Sequence, residues 1–118
     1  MLWNENNQFT LKALPQEAQY APVFGIVAKD LDDDGNTDIW LGGNFYAFKP
    51  QVGRQDASRG VFLKGNAQTK SFISLSPYQS GLYVEGEIRD AVMITTMTSK
   101  KLLVARNNAS VLLFQKKK

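Results

Sequence analysis

The sequence predicts an all-β fold, and three observations carry that reading. Its apolar runs are short enough to be strands, and several are closed by Gly, Pro or Asn. β-Branched residues stand where the spacing is ambiguous, as at Thr95, Thr96 and Thr98, which disfavours a helix. The pattern of runs also begins again partway along the chain: 63 residues separate Phe9 from Phe72, and Leu41 from Val104. Self-similarity at such a period, with several strands in each unit, marks a β repeat architecture.

Residues 8–14 alternate Phe9, Leu11 and Ala13 with Thr10 and Lys12, the period of a half-buried strand, and Pro15 ends it. Residues 16–22 form a polar connection. Residues 23–28 are a short apolar run containing Gly25, read as a buried strand. The strand Ile39-Trp40-Leu41 follows an aspartate-rich loop and runs into Gly42-Gly43-Asn44, a turn signal in which both glycines are free to take positive φ. Residues 45–59 have no period and read as a surface excursion. Val61-Phe62-Leu63 and residues 72–75 complete a four-strand meander. In the second unit residues 83–86 echo 23–25, residues 88–94 are strand-like, Leu102-Leu103-Val104-Ala105 stands for Ile39-Trp40-Leu41-Gly42, and residues 111–114 stand for 61–63.

The predicted architecture is a single unit spanning residues 1–118: two four-stranded antiparallel meander blades of a β-propeller. One blade spans residues 20–77 and carries the loop, and a degenerate one spans 78–118. The N-terminal strand, residues 7–15, is out of phase and serves as an extra outer strand completing a blade. Two blades do not close on themselves, so neighbouring blades of a longer chain or further copies would complete a ring.

Composition narrows the function. The 118 residues, 43% hydrophobic and 11% aromatic, are globular rather than disordered. The absence of cysteine removes any disulfide framework, and the absence of histidine removes the commonest general base and zinc ligand. The net charge of +3 is small, and Lys116, Lys117 and Lys118 read as a solvated tail, so nucleic acid is not the expected partner. No apolar run is long enough to span a membrane, and the N-terminus lacks a signal-peptide pattern, which points to a protein retained where it is made or to a fragment of a longer exported one.

The chemistry concentrates in residues 30–38, where five carboxylates fall within nine positions. Their repulsion calls for a cation. Asp30, Asp32, Asp34 and Asp38 stand at loop positions 1, 3, 5 and 9, Gly35 permits the turn, and an all-oxygen set suits Ca²⁺. An EF-hand is excluded, because position 12 is Leu41 rather than a bidentate Glu.

Phe24-Gly25, the Asp30-to-Asp38 loop and the Ile39-Trp40-Leu41-Gly42 strand resemble the FG-GAP or VCBS repeat, the blade unit of integrin α-subunit propellers and of exported bacterial repeat proteins. Gly42-Gly43-Asn44 departs from the family's closing Gly-Ala-Pro. The resemblance is specific over residues 22–44. It implies a calcium-stabilised propeller used as an extracellular or cell-surface binding platform, with side-chain oxygens from Asp30, Asp32, Asp34 and Asp38, the backbone carbonyl of Asn36, and Asp33 turned to solvent. Met93, Thr95, Met97 and Lys101 lie where the second unit's ligands would fall, so one site is expected.

The ion is expected to be structural and the chain not an enzyme, since nothing near the loop serves as nucleophile or base. Glu85, Glu87 and Asp90 read as a solvated strand start rather than a glycosidase pair. Partner contacts are expected from the excursion after Asn44, through Phe45, Tyr46, Phe48, Arg54 and Arg59, because loops on a rigid scaffold present aromatic and Arg anchors. Those aromatics serve equally to cover a blade edge, and Arg54, Asp56 and Arg59 equally to form a local ion network. The function that fits is a calcium-binding module presenting a surface to a protein or carbohydrate. Alternatives are a lectin-like two-blade protomer that oligomerises, and a terminal fragment of a larger exported enzyme.

Overall fold

A computed structural model describes residues 1–116; Lys117 and Lys118 of the expected tail lie outside them. The described chain is all-β, with antiparallel sheets of two, four and three strands. The two-stranded sheet joins β1 (Leu2–Glu5) to β2 (Gln8–Leu11). The four-stranded sheet runs in chain order through β3 (Val23–Lys29), β4 (Asp38–Gly43), β5 (Val61–Asn66) and β6 (Ser71–Leu75). The three-stranded sheet runs through β7 (Ile88–Thr95), β8 (Lys100–Arg106) and β9 (Leu112–Gln115). A 3-10 turn over Gln16–Gln19 and one α-turn, α1 (Pro77–Ser80), break the strand pattern. Among the described residues no helix is long and apolar enough to cross a membrane.

Alternation along β4 explains how the core divides. It is the second strand of its sheet and buried at every position. Trp40 points to one face, where it packs with Val27 and Phe62 against Val84, Ile88, Leu102 and Val104. Ile39 and Leu41 point to the other, where Leu63 joins them under Leu14 and Ala18. One core therefore lies between the four- and three-stranded sheets, and the other under the N-terminal connection.

The structure revises several expectations. The meander and the following three-strand sheet are present, but no closed propeller is shown. Residues 8–11 do not extend either large sheet: they pair with β1 in register Trp3↔Thr10 and Asn4↔Phe9. The reason is Asn6-Asn7, whose φ values of 51° and 65° make a two-residue hairpin turn.

Gly42 and Gly43 are strand residues rather than turn residues. A Cβ on Gly42 would lie 2.7 Å from Trp40 and Ile88, and one on Gly43 would lie 1.6 Å from the Pro22 carbonyl oxygen. Close approach selects glycine there, while the positive φ falls on Asn44 at 80°. The two larger sheets match each other differently from the expected alignment: register shifts at Val23/Gly25 and at Ile88/Asp90 place Asp90, not Gly86, at the position corresponding to Gly25.

Candidate metal centre

The aspartate loop joins β3 to β4 and is built from side chains accepting backbone N–H groups. Asp30 accepts from Asp33 at 2.8 Å and from Gly35 at 3.2 Å, Asp32 accepts from Asp34 at 3.2 Å, and Asp34 accepts from Asn36 at 2.8 Å. Short polar side chains that bond two or three residues onward hold such turns. Asp33 and Gly35 supply the positive φ values of 65° and 84°.

Asp38, the first residue of β4, is fully buried. One of its oxygens accepts from Leu31 at 3.0 Å and the other from Gly65 at 2.9 Å, which ties the loop to β5. Burial raises its carboxyl above the ordinary range against those two bonds, and the charges of Asp32 and Asp34 add to the rise.

Asp30, Asp32 and Asp38 bring one oxygen each within 4.8 Å of one another. That spacing fits donors on opposite sides of an ion held at the 2.3–2.6 Å of a Ca²⁺–oxygen bond. Asp34 stands apart from the trio. It is hydrogen-bonded to the Asn36 side chain at 3.0 Å and paired with the Lys64 ammonium at 2.7 Å. Lys64 also pairs with Asp32, and this ammonium is the main reason the Asp34 carboxyl falls to about 2. Asn36 accepts the Ala67 N–H at 3.1 Å, binding the loop to the β5–β6 turn.

Asp33 is half exposed but not free in solvent. Lys100 reaches it at 2.7 Å and Lys116 at 3.1 Å, and these bonds depress its carboxyl, Lys100 foremost. Lys116 thus folds back onto the loop instead of trailing as a tail. The three-stranded sheet lacks the loop: residues 96–99 alone separate β7 from β8, and Met93 and Thr95 are strand residues. Beside the loop an open cleft of about 1020 Å³ has Leu75, Leu82, Met93 and Phe114 in its wall, with Asp32, Asp33, Lys100 and Lys116 among its polar residues.

The excursion after Asn44 is anchored at both ends. The fully buried Asn44 side chain donates to Ser58 O at 2.8 Å and Gly86 O at 3.0 Å, and accepts from Ser58 N at 3.1 Å. Glu87 is buried, not a solvated strand start. It accepts from Tyr46 N and Arg89 at 2.8 Å each and from Asn107 at 2.7 Å, and the Asn107 bond leads in lowering its carboxyl.

Arg89 stacks over Phe24 at 4.9 Å and Phe45 at 5.8 Å, and Phe48 meets Phe45 edge-on at 5.3 Å. Arg54 stacks on Tyr46 at 4.8 Å. Arg59 bonds Asp56 through its backbone carbonyl at 2.8 Å and lies 3.9 Å from Glu85, so no Arg59–Asp56 ion pair forms. Of the five expected contact residues, Phe48 and Arg54 are exposed, while Phe45, Tyr46 and Arg59 are half-buried parts of the scaffold.

The sequence offered Asn44 only as a turn residue and Glu87 only as a solvated strand start, not as buried anchors, and gave no role to Arg89. Asn44 had one local signal, an Asn directly after a strand, where positive φ is tolerated. No protein-family model, curated protein or solved structure matches the chain.

Proposed function

We propose that the chain is a non-enzymatic β-sheet binding module, fastened at its first hairpin by Ca²⁺ and resembling FG-GAP propeller blades of exported or cell-surface proteins. The observation that carries the reading is the convergence of Asp30, Asp32 and buried Asp38 within 4.8 Å. Three crowded carboxylates, one of them out of water, are a favourable donor set for a hard divalent ion. Bound Ca²⁺ would join the turn to β4 and, through Asp38, to β5. Asp34 and the Asn36 carbonyl would complete the set once Lys64 swings away.

Thermal unfolding in millimolar calcium and in excess chelator tests this. A cation bound only by the folded chain at about 100 times its Kd adds about 2.7 kcal/mol, a rise of about 10 °C in Tm. Asp32→Ala and Asp38→Ala abolish the rise, whereas Asp33→Ala retains it. Equal melting of the wild type in both solutions refutes the metal site.

The partner surface in this reading is the edge around Phe48 and Arg54, for a protein or carbohydrate ligand. The support is their exposure on a loop held rigid by Asn44 and Glu87.

A further inference from the structure

The three-stranded sheet is one strand shorter than its neighbour. Among the described residues β9 pairs only with β8, so its outer edge carries an unpaired row of N–H and C=O groups. β2 is in the converse position. Among the described residues it pairs only with β1, and all four of its residues are exposed, Phe9 at 68% and Leu11 at 77%. Met1 and Lys12 exchange both backbone hydrogen bonds, at 2.8 and 2.9 Å. The alternation of an antiparallel ladder then turns the N–H and C=O groups of Phe9 and Leu11 away from β1, toward the free edge.

Chain order makes β2 the equivalent of β6. β6 leads through Pro77 and the single turn α1 into β7, the first strand of the next sheet. β2 leads through Pro15 and the single turn Gln16–Gln19 into β3, also the first strand of a sheet. Since β6 is the outer strand of the sheet it leaves, β2 has the connectivity of an outer strand whose own sheet is missing.

The faces agree with this. The cross-strand row Val27, Trp40 and Phe62 of the four-stranded sheet is stacked against the three-stranded sheet. The register places Val92, Leu103 and Leu113 in the same row of the three-stranded sheet, yet Val92 is 50% and Leu113 55% exposed. The stacking seen once within the chain is thus left unrepeated on its outer side.

We propose that this face and edge bind a second copy of the chain, head to tail. The β2 strand of that copy adds antiparallel to β9 as its fourth strand, and the N-terminal side of that copy covers Val92, Leu103 and Leu113. Such a contact is heterologous, so repetition closes a ring or extends a filament. The inference rests on the sheet architecture and not on the cation, so the calcium experiment and this one fail independently.

Light scattering on the full chain over a range of concentrations tests it. The expected wild-type mass is a multiple of the protomer mass. Leu11→Pro removes an outward N–H while leaving the bonds to β1, and Leu113→Lys places a charge at an exposed position. Both variants are expected to run at the protomer mass with unchanged far-ultraviolet circular dichroism. A wild-type monomer at every concentration overturns the proposal, as does an oligomer that both variants retain.

Discussion

Replacing Asn44 with Gly is the sharpest test of how the loop over residues 45–59 is held. Glycine accepts the φ of 80° without strain, so the substitution removes only the side chain and its three hydrogen bonds. Two of those bonds satisfy the buried N–H and C=O of Ser58, and the third satisfies the half-buried carbonyl of Gly86. At about 1 kcal/mol for each bond, with a further penalty for orphaned groups that water does not reach, the loss comes to about 3 kcal/mol. That is a large share of the 5–15 kcal/mol typical of a whole domain. Asn44→Asp is expected to lose more, because it keeps the acceptor for Ser58 N but turns a negative charge toward two carbonyl oxygens. Urea unfolding followed by tryptophan fluorescence reads the effect, since Trp40 is fully buried and reports loss of the core. A loss below about 1 kcal/mol for Asn44→Gly would refute the clamping of the loop by this side chain to Ser58 and to Gly86, ahead of β7.

Two further outcomes follow from charge. The Glu87 carboxyl is lowered by Asn107, the Tyr46 N–H and Arg89, so its contribution is complete above the ordinary Glu range and lost as pH falls through its lowered value. Urea midpoints measured from neutral pH downward should therefore fall less steeply in Glu87→Gln than in the wild type; identical slopes would exclude Glu87 as an acid-sensitive anchor. Lys64→Met removes the ammonium that neutralises Asp32 and Asp34. It is expected to lower stability in chelator and to enlarge the calcium-induced rise in Tm, and a smaller rise than in the wild type would count against a shared cation site.

Much of the chain was legible because its signals are local. Alternation and short apolar runs located eight of the nine strands of the described chain, and the strands of the two larger sheets follow one another in chain order. β1 was missed because Leu2-Trp3-Asn4-Glu5 is too short and mixed to stand out; the Asn6-Asn7 turn was the available signal. The aspartate spacing identified the candidate site, yet its electrostatics involve Lys64, Lys100 and Lys116, which lie far along the sequence. Spacing within a loop carries no information about which distant ammonium groups fold back onto it.

The sequence by itself determined an all-β chain, a repeat of strand runs, and a loop dense in carboxylates, because strand period, turn residues and like-charge crowding act over a few neighbouring residues. Tertiary structure alone decided that Asp38 is buried while Asp34 is drawn to Lys64, and that Glu87 and Asn44 are anchors. It also decided that glycines 42 and 43 serve close packing. Each of these depends on what another strand or loop brings within a few ångströms, and register between distant segments is settled only when both cores form.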